Sequence, residues 1–239
     1  MEVVPDFSFL GSDMHSHFIP GIDDGAQSRE DSLVLIRGMQ RLGFRKLVTT
    51  PHVYGEFYDN SREGILEHFG ALKSLVAAEG IEMELEVGAE YFLDSYFKNT
   101  VLPGGLLSFG GDRRYVLVEV SMAGWPRNFD ELIFDVQAQG YNPVLAHPER
   151  YVYEMDPQFF MRLKERGVLM QMNILALAGY YGGGIQQNAD HFLEAGVYDF
   201  CGSDMHHERH LVAMERLVRD RQDLMVRLKG YGGFGNLGI

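Results

Sequence analysis

Hydrophobic positions along the chain follow two periods in turn, one typical of strands and one typical of helices. Residues 81–87 alternate apolar side chains with glutamates, a period of two that predicts a strand. Residues 65–76 place apolar side chains three or four apart, and Ser61 and Gly80 bracket them as start and stop signals. The chain therefore contains both a half-buried strand and an amphipathic helix within its first third.

The same two patterns repeat to the end of the chain. Ser28 and Asp31 have the spacing of a capping box, and Asp156 followed by Pro157 is a second helix start. The predicted strands are a segment leading to Asp13 and residues 46–50, 81–87, 115–120, 143–146, 168–172 and 197–201. The predicted helices run from Ser28 to Gly43, over 61–79, over 129–139, from Asp156 to Gly167, over 186–194 and over 211–228.

Strands that alternate with helices about seven times predict an α/β fold of parallel strands. No linker, low-complexity tract or change of composition divides the sequence, so we expect a single domain over residues 1–239. The glycine-rich end, residues 230–239, is predicted to be a flexible tail. If such a sheet closes into a barrel, functional residues collect where the strands end.

The amino-acid composition of the chain disfavours several classes of function. The chain has 239 residues, of which 46% are hydrophobic, and a formal net charge of -13. This charge disfavours nucleic acid as a partner and favours cations. Cys201 is the single cysteine, which excludes an intrachain disulfide and suggests a reducing compartment. Without a basic leader or an apolar run of membrane length, we expect a cytoplasmic protein that does not insert into membranes.

Side chains that bind metals follow one predicted strand after another. His15 and His17 are two residues apart, so an extended backbone aims both imidazoles to the same side. Any one such residue alone could be an ordinary solvated side chain, but together they predict a polynuclear metal site for zinc, manganese or iron. The strand-end residues are His15, His17, His52, Glu90, Glu119, His147, Asp204 and His206.

Short motifs around these residues carry a resemblance to a known family. In order along the chain they are D-M-H-S-H, D-D-G, T-T-P-H, G-A-E, V-E-V-S, L-A-H-P-E-R and G-S-D-M-H. Between Asp13 and about Leu217 the chain resembles the PHP (polymerase and histidinol phosphatase) superfamily. It is most similar to the bacterial manganese-dependent protein-tyrosine phosphatases linked to capsule and exopolysaccharide synthesis. The resemblance implies a distorted seven-stranded β/α barrel of the PHP type, similar to a TIM barrel.

The resemblance also implies up to three divalent metals, most simply Mn²⁺, with Fe, Zn, Co and Mg as alternatives. The implied ligand sets are His15, His17, Glu90 and Asp204 for one ion; Glu90 as a bridge with Glu119 and His147 for a second; and Asp24, His52 and His206 for a third. Such a centre makes hydroxide available near neutral pH, which implies in-line attack on phosphorus without a phospho-enzyme.

The implied activity is hydrolysis of phosphotyrosine in a protein partner, a bacterial tyrosine kinase that controls polysaccharide export. Arg150, just past His147, is expected to hold phosphate oxygens, and Arg209 is a second candidate for this contact. Cys201 does not fit a thiol phosphatase, because the residue six positions on is His207 and not arginine. The alternatives are histidinol-phosphate phosphatase or another small-molecule phosphomonoesterase, a noncatalytic metal-binding regulatory module, and a phosphodiesterase or nuclease, which the acidic charge disfavours. The oligomeric state stays open.

Overall fold

The computed structural model describes residues 6–239 and shows strands and helices alternating along the chain, as the sequence predicts. The strands are β1 (Ser12–Asp13), β2 (Lys46–Thr49), β3 (His52–Val53), β4 (Glu84–Val87), β5 (Glu90–Phe92), β6 (Tyr115–Glu119), β7 (Asn142–Ala146), β8 (Leu169–Asn173) and β9 (Phe200–Gly202). The helices are α1 (Arg29–Arg41), α2 (Arg62–Ala78), α3 (Phe129–Ala138), α4 (Pro157–Glu165), α5 (Ile174–Leu177), α6 (Gly183–Glu194), α7 (Glu208–Asp220) and α8 (Gln222–Tyr231).

All strand pairs are parallel, which confirms a mixed α/β fold, but hydrogen bonding divides them into two sheets. One sheet has the order β1-β2-β4, and the other has the order β3-β5-β6-β7-β8-β9. The predicted second and third strands, 46–50 and 81–87, correspond to β2 and β4 in one sheet. The short strands β3 and β5, which follow them in the chain, are additional to the prediction and lie in the other sheet. A single bridge, Ser16 with Met205, joins the first and last segments. One continuous seven-stranded barrel is therefore not what the structure contains.

Three helices begin where their predicted start residues lie. Ser28 and Asp31 form both hydrogen bonds of the capping box of α1. The Ser61 side chain accepts a hydrogen bond at the start of α2, and the Asp156 side chain does the same for α4. The predicted helix over 211–228 is wrong in one respect, because the backbone leaves the helical conformation at Arg221 and separates α7 from α8.

The core is built from the helix stripes and from the apolar strand residues that they cover. Val116 and Val118 of β6 are fully buried, and so are Leu35 and Ile36 of α1. Burial of such side chains is the main source of stability, at about 1.5–3 kcal/mol for each one. Among residues 6–239, no helix combines the length and the hydrophobicity that crossing a bilayer requires.

Part of residues 230–239, the predicted flexible tail, packs against the strands. Asn236 is 1% exposed and lies between β1 and β9. Its side-chain amide donates to the carbonyl oxygens of Ser12 (2.9 Å) and Cys201 (2.7 Å) and accepts from the Cys201 amide (3.0 Å). The Ser12 hydroxyl in turn donates to the Asn236 carbonyl (2.6 Å). One tail residue therefore links the first strand to the last.

Candidate metal centre

The predicted metal-binding residues meet at the carboxyl ends of the strands. The register of β3 with β5 sets His52 directly beside Glu90, while Glu119 is the last residue of β6. His147 follows β7 and Asp204 follows β9, and both have positive φ values, 35° and 52°. A non-glycine residue adopts this conformation at a cost that the surrounding structure must offset, and such residues cluster at functional sites.

Glu90 lies at the centre of the site, surrounded by four imidazoles. Its Oε2 is 3.1 Å from His15 Nε2, 3.5 Å from His17 Nε2 and 3.2 Å from His52 Nδ1. Its other oxygen, Oε1, is 3.2 Å from His147 Nε2. Because the two oxygens face different histidines, this carboxylate is placed to bridge two cations.

Asp204 is the second carboxylate shared between several histidines. Its Oδ1 lies 3.2 Å from His15 Nε2, 3.5 Å from His17 Nε2 and 3.3 Å from His206 Nδ1. Its Oδ2 accepts hydrogen bonds from Arg150 Nη1 (3.0 Å) and Asn173 Nδ2 (3.0 Å). One oxygen is thus directed at the histidines, and the other fixes the orientation of the carboxylate.

The structure forms three groups whose ligand atoms lie within 4.8 Å of one another. The first is the set expected for the first ion. In the second, His52 stands beside Glu90 and Glu119 where the resemblance implies His147, and in the third His17 stands where it implies Asp24. Asp24 remains at the edge, with Oδ1 3.4 Å from His52 Nε2 and 3.5 Å from His206 Nε2. The groups are His15, His17, Glu90 and Asp204; His52, Glu90 and Glu119; and His17, His52 and His206.

Two residues that the sequence reading missed hold the histidines in place. His17 Nδ1 donates to Asp23 Oδ2 (2.8 Å), and His15 Nδ1 donates to Gln171 Oε1 (2.9 Å). In a neutral imidazole each bond fixes the tautomer that leaves Nε2 without a proton, as metal-binding histidines require. Asp23 stands directly before Asp24, so the D-D-G motif could have marked it as a residue of the site. Gln171 lies within a strand, and no sequence motif marks it as a residue of the site.

Unsatisfied atoms show that this donor set fits divalent cations. Glu90 Oε1 and His147 Nδ1 are buried, and neither has a hydrogen-bond partner among the described residues. The Nε2 atoms of His15 and His17 face each other at 3.3 Å, although both Nδ1 atoms already donate to oxygen. Buried polar groups without partners cost free energy. A shared cation would satisfy these nitrogen and oxygen lone pairs together.

Burial and neighbouring charges act on the protonation of the site. Burial alone raises the pKa of Glu90, but His15 and His52 outweigh it and hold that pKa well below its usual range. Burial lowers the pKa of His147, and the nearby Arg150 lowers it further. Burial also lowers the pKa of His15, but the charges of Glu90 and Asp204 outweigh it and raise that pKa to about 9. Because metals coordinate a deprotonated carboxylate and a neutral imidazole, a bound cation would displace the proton from His15.

The site opens into a cleft of about 390 Å³. Arg150 lines the cleft, and its side chain is 27% exposed, so it can reach a bound ligand. Its guanidinium lies 4.9 Å from the centre of the Tyr181 ring. Arg209 is exposed and lines a neighbouring cavity together with Gln27. The structure therefore places Arg150 in the cleft of the metal centre, whereas Arg209 lines a separate cavity that has His206 in common with that cleft.

Comparison with known proteins places this geometry in a family. Residues 11–216 match the family described as capsular polysaccharide synthesis, CpsB/CapC. The tyrosine-protein phosphatase YwqE of Bacillus subtilis is 31% identical over 195 residues, covering 81% of this chain and 76% of YwqE. The tyrosine-protein phosphatase CpsB of Streptococcus pneumoniae is 30% identical over 202 residues, covering 81% and 82%.

The fold agrees with a solved structure of the same group. A crystal structure from the work on YwqE and CpsB, described as unique metal-dependent tyrosine phosphatases, superimposes with a TM-score of 0.74 at 27% identity. The match covers 90% of this chain and 94% of the other. By the motifs, the site and these matches, the chain belongs to the CpsB/CapC family of capsular polysaccharide synthesis.

Proposed function

We propose that this protein is a metal-dependent tyrosine-protein phosphatase, a phosphomonoester hydrolase. The observation that carries the proposal is the arrangement of imidazoles around Glu90 next to an open cleft lined by Arg150. The names of the relatives support the same activity. The finer assignments remain part of this proposal: Mn²⁺ as the metal, a cytoplasmic location, and a tyrosine kinase of capsule or exopolysaccharide synthesis as the substrate.

The nine predicted ligands would hold the cations, with Glu90 as the bridge between two of them. When bound, divalent cations lower the pKa of water and neutralise phosphate charge. Glu90 and Asp204 supply the negative charge that lets several cations lie close together. Asp23 and Gln171 orient His17 and His15 so that their Nε2 lone pairs point inward.

Arg150 is the residue that we assign to the phosphate. Its Nη1 donates to Asp204, and the ring of Tyr181 supports the guanidinium. The remaining N–H groups of its planar fork are available for phosphate oxygens, which they can bind in pairs. Its position follows from the L-A-H-P-E-R turn after β7, which carries both His147 and Arg150.

The proposal is tested by turnover on a phosphotyrosine peptide and on histidinol phosphate, measured side by side with Mn²⁺. We expect higher kcat/KM on the peptide, loss of turnover with a chelator and recovery when Mn²⁺ is added back. Metal analysis should give more than one ion per chain, since the ligands are too many for one. Equal or better turnover of histidinol phosphate would instead favour the small-molecule phosphatase. Metal binding without any turnover would favour the regulatory module.

Replacement of Arg150 by alanine should separate phosphate binding from metal binding. We expect Arg150→Ala to keep its metals and to lose about 2–4 kcal/mol of transition-state stabilisation, because a charge-assisted contact to phosphate disappears. The measurement is kcat/KM on a phosphotyrosine peptide together with metal content. Arg209→Ala is the matched comparison, and we expect a smaller loss since Arg209 lines the neighbouring cavity. A larger loss for Arg209→Ala would reverse the two assignments.

Alkylation of Cys201 should leave the native enzyme active. The side chain is 1% exposed, and burial raises the pKa of the thiol well above its usual range, so little reactive thiolate forms. We expect incubation with iodoacetamide to change neither turnover nor the intact mass of the folded protein. Rapid inactivation that follows modification of Cys201 would contradict a metal-based mechanism.

A further inference from the structure

The cleft beside the metal centre is almost entirely polar, with one apolar side chain on each flank. Of the described residues that line it, all but Met122 and Tyr181 are charged side chains or imidazoles. Met122 is 40% exposed, and Tyr181 is half-buried. The Met122 side chain thus presents apolar surface at the edge of a polar site. It is therefore available to a ligand.

The strand order sets these two residues on either side of Arg150. Met122 follows β6, Arg150 follows β7 and Tyr181 follows β8, and these strands are neighbours in the order β6-β7-β8. A phosphate held by Arg150 would thus have the Met122 thioether on one flank and the Tyr181 ring on the other. Both side chains line the same cleft as Arg150, so an apolar group attached to that phosphate would meet them there.

Hydrogen bonds hold both flanks in place before any ligand binds. The Tyr153 hydroxyl donates to the Ser121 carbonyl (2.8 Å), which fixes the turn that carries Met122. On the other flank, Asn173 Nδ2 lies 3.2 Å from the Tyr181 hydroxyl. Gly182, which follows Tyr181, has φ 98°, a conformation that side chains rarely adopt, and its amide donates to Gly179 (3.1 Å). Preorganised walls reduce the entropy cost of binding.

We propose that Met122 and Tyr181 are specificity-determining residues that receive the aromatic ring of an aryl phosphomonoester. This inference rests on the proposed function and adds the structural basis for its choice of phosphotyrosine over alkyl phosphates. Methionine sulfur makes favourable contacts with aromatic rings, and aromatic pairs attract each other in offset or edge-on arrangements. An alkyl phosphate would gain the contacts of Arg150 but not those of the two flanks.

The test compares the binding of two phosphonates that are not hydrolysed, phenylphosphonate and methylphosphonate. Isothermal titration of the Mn²⁺-loaded protein gives Kd for each, free of differences in leaving-group reactivity. We expect the wild type to prefer phenylphosphonate. Met122→Ala should reduce that preference about fivefold, the size expected of a sulfur–aromatic contact. Met122→Leu should restore most of it, since leucine fills the same volume.

Tyr181 provides the second arm of the same experiment. Tyr181→Phe keeps the ring and should keep the preference, whereas Tyr181→Ala should reduce it as Met122→Ala does. The control is Met155→Ala, because Met155 is a 60% exposed methionine that is not among the residues lining the cleft. Its removal should leave the ratio of the two Kd values unchanged.

The outcomes separate this inference from the proposed function. If the wild type binds both phosphonates equally, or if Met122→Ala and Tyr181→Ala leave the ratio unchanged, the inference is wrong while phosphate binding at the metal centre stands. The same holds if Met155→Ala reduces the ratio as strongly as Met122→Ala. If the loaded wild type binds neither phosphonate, the proposed function fails as well.

Discussion

The variant Glu90→Gln is expected to lose at least one metal ion per chain and at least about 1,000-fold in turnover, which is about 4 kcal/mol of transition-state stabilisation. Glu90 is the carboxylate that contacts four imidazoles, through both of its oxygens. An amide keeps the shape but removes the charge that offsets the repulsion between neighbouring cations. Metal content and turnover, measured on one preparation, give the result.

Glu86→Gln is the matched control for this change. Glu86 lies in β4, and Glu90 begins the next strand, β5. The Glu86 carboxylate pairs with Lys46 Nζ at 2.8 Å, away from the metal-binding side chains. We expect this variant to keep its metals and turnover. Thermal unfolding should show that Glu90→Gln remains folded, since the core does not depend on the site. A folded Glu90→Gln protein with every metal and near-normal turnover would show that Glu90 is not the bridge.

The sequence predicted which residues would meet at the site because periodicity alone locates strand ends. In a parallel sheet the carboxyl ends of neighbouring strands lie at one edge, so a polar residue at each end has little freedom to be elsewhere. His52 and Glu90 follow β2 and β4 by three residues and open β3 and β5, whose register sets them side by side. Eight residues from separate parts of the chain are brought together after strand ends in this way, and Asp24 joins them from a loop.

The way those residues divide into groups could not be predicted, because it depends on side-chain orientation. His17 and not Asp24 joins His52 and His206, since Asp24 stays at the exposed edge. The bond between Gln171 and His15 joins residues 156 positions apart, and no local pattern marks it. The two separate sheets have a different origin. Pro51 and Gly88 end the predicted strands, and the strands that follow, His52–Val53 and Glu90–Phe92, are too short for a periodic pattern to predict them.

The packed tail shows a second limit of sequence reading. Glycine-rich segments are typical of flexible ends, and the pattern around Asn236 contains no apolar period. What holds the tail is a set of polar contacts to the backbone of two strands. A single amide side chain is enough to make these contacts, so no periodic pattern in the sequence indicates that the tail is packed.

Asn236→Ala should lower the free energy of unfolding by about 3–5 kcal/mol, with turnover per folded molecule nearly unchanged. The substitution leaves three buried backbone groups without partners, the carbonyls of Ser12 and Cys201 and the amide of Cys201. Each unsatisfied buried group costs about 1–3 kcal/mol, and water entering at the chain end would relieve part of the sum. Urea unfolding of the metal-free protein measures the loss without a contribution from bound ions.

The comparison variant for this prediction is Asn128→Ala, because Asn128 precedes α3 without making a side-chain capping hydrogen bond. We expect that change to cost less than about 1 kcal/mol, as is usual for a residue outside the core and without such partners. Since Asn236 joins β1 to β9 through backbone groups of Ser12 and Cys201 and contacts no metal-binding side chain, the loss should be one of stability and not of metal affinity. If Asn236→Ala unfolds at the same urea concentration as the wild type, the tail does not connect the two strands in solution. The bridge between Ser16 and Met205 and the Asp13–Ser203 hydrogen bonds would then join them without the tail.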